Sequence, residues 1–207
     1  FKRTGKLVVG FDDDDKKNLQ DLIEHGNSLG DLGLEMVDQA FIQEKAPYAR
    51  GEFAMWSPTS AILDPFLLTI RLAENAAENG ASFFFGREVT DISQQDGVFH
   101  IRTSEGIFLA RWVINCAGLE AATVASMLGE TQYTICPCRG EYFILDSRAG
   151  HKLPLPIYPV PNYKLGGLGV HLTPSVDGNI FIGPSNEYIH EREDYASTQD
   201  IQEKLLQ

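Results

Sequence analysis

His171 lies in the run GVHLTP at residues 169–174, with Val170 and Leu172 directed to the opposite face of an extended segment. An imidazole that titrates near neutral pH can take a proton from a hydroxyl group. The same residue type also serves in sheets as a histidine bonded to backbone. Arg139 and Tyr142 stand together in RGEYFILD, residues 139–146. A guanidinium is a planar fork suited to a carboxylate or phosphate, and a phenol beside it could orient that anion; an arginine at a bend is otherwise a surface residue. Tyr158 and Lys164 flank the pair Gly166-Gly167 and could face the same pocket. The double glycine suits close approach of a ligand, lid motion or an ordinary loop. Residues 113–118, VINCAG, read as a buried strand that delivers Ala117-Gly118 at its carboxyl end, where ligands of α/β sheets collect. The plainer alternative there is a turn that needs glycine. Trp56 and Ser57 are further candidates to line a site.

These residues must be positioned by elements that the sequence also indicates. Residues 7–10 (LVVG) form a short apolar strand, and residues 12–29 a helix whose first turn carries acids that suit its dipole. Short strands at 34–37 and 52–56 enclose a brief helix ending at 44. Residues 64–80 give the clearest helix: Asp64 is a suitable N-cap, Pro65 fits the first turn, and Gly80 closes it. Phe66, Leu67, Ile70, Ala73 and Ala77 line one apolar face, which predicts burial. Residues 82–85 (SFFF) read as a strand. A meander follows at 88–93, 98–103 and 107–115, turned by Asp96-Gly97 and Glu105-Gly106. The run 112–116 (WVINC) is continuously apolar, as in a strand buried on both faces. A helix at 120–128 comes next, then strands at 134–135 and 141–145. A strand pair turned by Asp177-Gly178 follows, and a last helix spans 195–206. The mixture of helices and antiparallel hairpins predicts an α+β fold.

With 43% hydrophobic residues the chain can bury a core. The formal net charge of −12, concentrated at 12–15 and 187–194, argues against nucleic acid or an anionic membrane surface as partner. An anionic substrate would need a local basic pocket. Three cysteines form no disulfide framework, and the pair Cys136/Cys138 has no further cysteine close by. Reduced thiols in a cytoplasmic protein, with no metal site, are the expectation. The chain starts at Phe1 and stops inside a helical pattern, which suggests a piece of a longer protein.

Taken in order, KRTGKLVVGF (2–11), SPTSAILDPFLLTIRLAENAAENGA (57–81), VINCAG, RGEYFILD, IYPVP (157–161) and GVHLTPSVDGNIFIGPSNEYI (169–189) resemble the FAD-dependent oxidoreductase superfamily of D-amino-acid oxidase and sarcosine oxidase. Within it they are most similar to glycerol-3-phosphate-dehydrogenase-like proteins and L-2-hydroxyglutarate dehydrogenases. The resemblance covers nearly the whole chain. It implies a mixed, mainly antiparallel substrate-domain sheet with partial elements of an FAD-binding α/β domain. Residues 1–63 and 131–186 would form the substrate (cap) domain, 64–130 the FAD-domain elements, and 187–207 the start of a helical segment.

The resemblance also implies roles. His171 would take the hydroxyl proton while hydride leaves for flavin, and Arg139, Tyr142, Tyr158 and Lys164 would bind a small anionic substrate. Glu88, Val89, Ala117 and Gly118 would touch FAD. The family's N-terminal G-x-G-x-x-G phosphate loop has no counterpart in these 207 residues, so weak or no FAD retention is expected of this chain alone. Implied electron acceptors are a quinone, an iron–sulfur partner or oxygen, and the resemblance leaves room for peripheral membrane association of the parent protein. An amine or amino-acid oxidase of the same superfamily, and a binding or assembly module without chemistry, remain alternatives.

Overall fold

The computed structural model describes residues 1–30, 32–162 and 169–206. In chain order its strands are β1 (Lys2–Arg3), β2 (Lys6–Gly10), β3 (Glu35–Asp38), β4 (Phe53–Ser57), β5 (Ala61–Ile62), β6 (Val89–Gln95), β7 (Val98–Thr103), β8 (Gly106–Ala110), β9 (Cys138–Arg139), β10 (Phe143–Leu145), β11 (Ile157–Pro159), β12 (His171–Pro174), β13 (Ile180–Gly183) and β14 (Glu187–Tyr188). The helices are α1 (Asp13–Ser28), α2 (Gln39–Lys45), α3 (Pro65–Glu78), α4 (Ala121–Ser126) and α5 (Gln199–Leu205). The chain divides into two compact units. The first holds Phe1–Arg71, Arg139–Glu187 and Tyr195–Gln207; the second holds Leu72–Cys138 and Tyr188–Asp194. The fold class is α+β.

The first unit is built on a seven-stranded sheet in the order β10-β13-β12-β11-β2-β4-β3. Only β11 and β2 run parallel; the other neighbours are antiparallel. β2 lies inside the sheet with both faces covered, which explains its unbroken run Leu7-Val8-Val9. Leu7 and Val9 point into a core with Ile42 of α2, Ala54, Leu153, Leu155, Ile157 and Ile180. Val8 and Met55 point the other way, against Leu19 of α1. Burying a leucine or isoleucine of this kind contributes about 1.5–3 kcal/mol, so Leu19 and Ile42, both fully buried, pin the two helices to opposite faces.

Local chemistry starts those helices. The Asp12 carboxylate accepts the Asp15 N–H at 2.8 Å, and Asp38 accepts the Phe41 N–H at 2.9 Å. Acids at 13–15 lie at the positive end of α1. α1 covers only the β2–β4–β3 half of its face; the half made by β11, β12, β13 and β10 carries the candidate site.

The second unit contains a three-stranded antiparallel meander, β6-β7-β8. Asp96 (φ 50°) and Gly97 (φ 78°) make its first turn, the left-handed pair that an Asp-Gly hairpin requires. Among the described residues no helix of the chain is long and apolar enough to cross a membrane.

Several expectations need correction. Residues 112–116 are not a strand, and Trp112 and Ile114 are each 86% exposed. Residues 82–85 and 134–135 are not strands either. An apolar run becomes a strand only where another strand offers its backbone, and among the described residues none pairs with these segments. α3 forms as its caps predict: Asp64 accepts the Leu67 N–H at 3.0 Å, and Gly80 takes φ 90° while the Ala81 N–H reaches the Ala76 carbonyl. Its apolar face is not buried, however; Phe66 is 81% exposed and no residue of α3 is fully covered. His171 opens β12 rather than lying in the middle of a strand.

Candidate active site

The antiparallel register that sets Ile157 opposite Leu172 also sets Tyr158 opposite His171, on the face away from the Leu7 core. The two rings stack at 3.9 Å between centroids, inclined by 14°. The Lys6 ammonium, from the strand on the other flank of β11, stands 5.1 Å from the Tyr158 ring centre. Thr173 and Phe181 project from the same face by strand alternation, and Tyr142 meets Phe181 edge-on at 6.3 Å. A cleft of about 670 Å³ opens here, lined by Lys6, Tyr158, Thr173 and Phe181, with Asp64 and Phe66 at the start of α3.

The imidazole has a defined polarity. His171 Nδ1 lies 3.0 Å from the Gly169 carbonyl oxygen. A carbonyl oxygen only accepts, so Nδ1 carries the proton, and in the neutral ring Nε2 keeps its lone pair. That is the tautomer a proton acceptor needs.

The electrostatics of this face follow from partial burial. Loss of water holds the Lys6 ammonium below the usual lysine range. Burial pushes the Tyr142 phenol up, and the neighbouring Tyr158 adds to that shift, so the Tyr142 phenol acts as a neutral donor at physiological pH. The Thr173 hydroxyl oxygen is shielded from solvent and has no hydrogen-bond partner among the described residues, an arrangement that costs about 1–3 kcal/mol. Tyr158 also borders a second, more apolar cavity of about 610 Å³, and it is this second cavity, with Tyr48, Arg50 and Lys152, that His171 lines rather than the first cleft.

The sequence-predicted residues separate into groups. His171 and Tyr158 stack on one another, and Tyr142 reaches their face through its contact with Phe181. Lys164, with Gly166-Gly167, lies outside the described residues. Arg139 is not an open anion fork: its Nη2 is 2.7 Å from Glu187 and 3.3 Å from Glu141. Side-chain exposure there is 11% for Arg139 and 6% for Glu141. Glu141 in turn accepts both the N–H and the hydroxyl of Thr198, the N-cap of α5. The arginine is therefore spent on structure, because a buried carboxylate needs a cation beside it. Trp56 packs edge-on against Phe41, at the margin of the Leu7 core, so it does not reach the cleft. The Ser57 hydroxyl is bonded to that of Ser60.

The residues assigned to a cofactor lie in the second unit. Val89 opens β6 and is half-buried, while the Glu88 carbonyl takes the Ser104 N–H. The Ala117 N–H is held at 3.2 Å by the Asn115 side chain, which also donates to the Ala121 carbonyl. Gly118 adopts φ 58°, and nothing lies within 4 Å of the place a Cβ would occupy. This open stretch of backbone fits close approach by one edge of FAD. It supplies no phosphate cradle of the G-x-G-x-x-G kind.

Lys6, Thr173 and Phe181 were not singled out by the sequence. Lys6 precedes a run read as starting at Leu7. Its signal was the alternation with Val8, which places a cation on the site face of an otherwise buried strand.

Comparison with known proteins follows the same lines. The pattern of the family described as "FAD dependent oxidoreductase" matches residues 1–207. A glycerol 3-phosphate dehydrogenase of Caloramator mitchellensis is 39% identical over 189 residues, covering 90% of this chain and 39% of that protein. A mitochondrial L-2-hydroxyglutarate dehydrogenase of Caenorhabditis elegans is 35% identical over 215 residues, 99% of this chain and 50% of the relative. The chain thus spans about half the length of the curated relatives it matches, or less. Among solved structures, the L-α-glycerophosphate oxidase of Mycoplasma pneumoniae with FAD bound superposes with a TM-score of 0.85 at 24% identity, over 99% of this chain and 56% of that one. The L-proline dehydrogenase of P. horikoshii gives 0.87 at 23%, over 99% and 54%. Both share the fold.

Proposed function

This chain belongs to the FAD dependent oxidoreductase family, and from that premise we propose that it forms the substrate-facing sheet of a dehydrogenase acting on a small anionic secondary alcohol. The substrate class is glycerol 3-phosphate or a 2-hydroxyacid such as L-2-hydroxyglutarate, in keeping with the names of relatives 39% and 35% identical. The observation that carries the reading is the Nδ1–Gly169 hydrogen bond, which leaves His171 Nε2 as a proton acceptor on an open, partly apolar face.

The alcohol loses a proton from oxygen and a hydride from carbon, and becomes a ketone. His171 Nε2 takes the proton; the stacked Tyr158 ring holds the imidazole in plane; the neutral Tyr142 phenol donates to the substrate oxygens. FAD, when bound, would supply the hydride acceptor, and the backbone at Ala117 and Gly118 would help to hold it. The final electron acceptor would be a quinone, an iron–sulfur protein or oxygen, with the enzyme placed in the cytoplasm.

The test is anaerobic mixing of flavin-loaded protein containing this chain with glycerol 3-phosphate, L-2-hydroxyglutarate, glycine or L-proline. Bleaching of the visible flavin band by one of the first two supports the proposal. Bleaching only by an amino acid replaces it with an amine oxidation.

A further inference from the structure

From the placement of charge on the site face, we infer that Lys6 is the cation that receives the acidic end of the substrate, one aromatic ring away from the proton acceptor His171. This rests on the proposed function above, since it names the group that reads the anion of that substrate.

Three observations carry it. The chain has formal net charge −12, so an anionic ligand is repelled unless the site itself supplies a cation. Arg139, the cation the sequence favoured, is spent on Glu141 and Glu187. Lys6, by contrast, makes no salt bridge to a carboxylate among the described residues; its ammonium faces the Tyr158 ring. Asp64 and Asp177 line the same cleft, but Asp64 is held by the Leu67 N–H and neither bridges to Lys6.

A half-buried ammonium that has given up water without gaining a counter-ion is a poor choice for stability. It becomes favourable when a ligand carboxylate or phosphate completes it. The ladder Lys6–Tyr158–His171 crosses three adjacent strands, so the sheet fixes the spacing between anion holder and proton acceptor. A substrate of the proposed class carries a hydroxyl and a distal acid joined by a short carbon chain, the two groups this ladder would read. Lys6 is thereby a specificity residue: it distinguishes alcohols with a distal acid from equally long alcohols without one.

The test uses flavin-loaded protein containing this chain, as wild type, Lys6→Met and Lys6→Arg. Glutarate and inorganic phosphate are titrated calorimetrically, and KM and kcat are measured for L-2-hydroxyglutarate and L-2-hydroxybutyrate. Loss of a charged hydrogen bond in Lys6→Met should weaken glutarate or phosphate binding roughly 10- to 100-fold, with Lys6→Arg recovering most of it. KM for L-2-hydroxyglutarate should rise similarly while that for L-2-hydroxybutyrate and both kcat values change little. In wild type, the Lys6 ε-carbon resonance should shift on adding glutarate, a readout that needs no variant. No anion binding by wild type, or equal binding by Lys6→Met, overturns the inference. Lys6-dependent anion binding without flavin reduction by any hydroxyacid or by glycerol 3-phosphate retains the inference and removes the proposed function. Turnover with an unchanged KM in Lys6→Met does the reverse.

Discussion

At the scale of single residues, His171 and Arg139 show how similar sequence signals lead to different roles. Among the described residues His171 keeps an unengaged Nε2, its other nitrogen being tied to the Gly169 carbonyl. Replacing it with alanine in flavin-loaded protein should lower kcat roughly 10²- to 10⁴-fold, the usual worth of a positioned proton acceptor, with the flavin retained. Steady-state turnover and the flavin absorption of the purified variant check both halves; undiminished turnover removes His171 from the chemistry. Arg139 is expected to behave in the opposite way. Arg139→Met leaves Glu141 buried beside a neutral side chain, so unfolding free energy should fall by about 3–5 kcal/mol, toward the low end because Thr198 still donates to Glu141. Urea denaturation measures this. The double variant Arg139→Met/Glu141→Gln should regain part of the loss, and KM should stay near wild type in both.

At the scale of elements, the site depends on how closely strand ends approach one another. Gly183 closes β13 opposite His171 and has φ 144°, where a side chain is strained. A Cβ there would lie 2.7 Å from the Glu141 carbonyl oxygen and 2.8 Å from the Tyr142 ring. Gly183→Ala should therefore cost about 1–3 kcal/mol and move Tyr142 off the site face. A melting temperature lower by roughly 2–12 °C, together with a higher KM, is the expected outcome. An unchanged KM would show that Tyr142 does not meet the substrate. Such details explain what was legible in the sequence. α1, α2, α3 and the β6–β7–β8 meander could be read because caps, an Asp-Gly turn and period-two alternation are local signals. The face shared by His171, Tyr158 and Tyr142 was half-readable, since alternation gives the face but not the neighbour. Lys6 joins it only through the parallel pairing of β2 with β11, a contact between residues some 150 positions apart that no local pattern encodes. The segments 82–85 and 112–116 misled because an apolar run reports a preference for burial, not the presence of a covering surface.

At the scale of the whole molecule, the chain carries more apolar surface than its two cores use. α3 has a continuous apolar face, yet Leu67, Ile70 and Leu72 are each about half exposed or more. The helix is held by its Asp64 cap and its Gly80 end rather than by packing. Substitutions on it should therefore separate solubility from stability. Ile70→Gln/Leu72→Gln keeps helix propensity and removes two exposed apolar side chains. In this chain the pair should change the unfolding free energy by no more than about 0.5 kcal/mol per site, as for surface positions. Had α3 been packed in a core, each deletion would have cost about 2–5 kcal/mol. The same pair should lower binding of an apolar fluorescent dye and reduce self-association in light scattering, because patches of this kind drive both. A large drop in the denaturation midpoint with unchanged dye binding would show instead that this face is covered in solution.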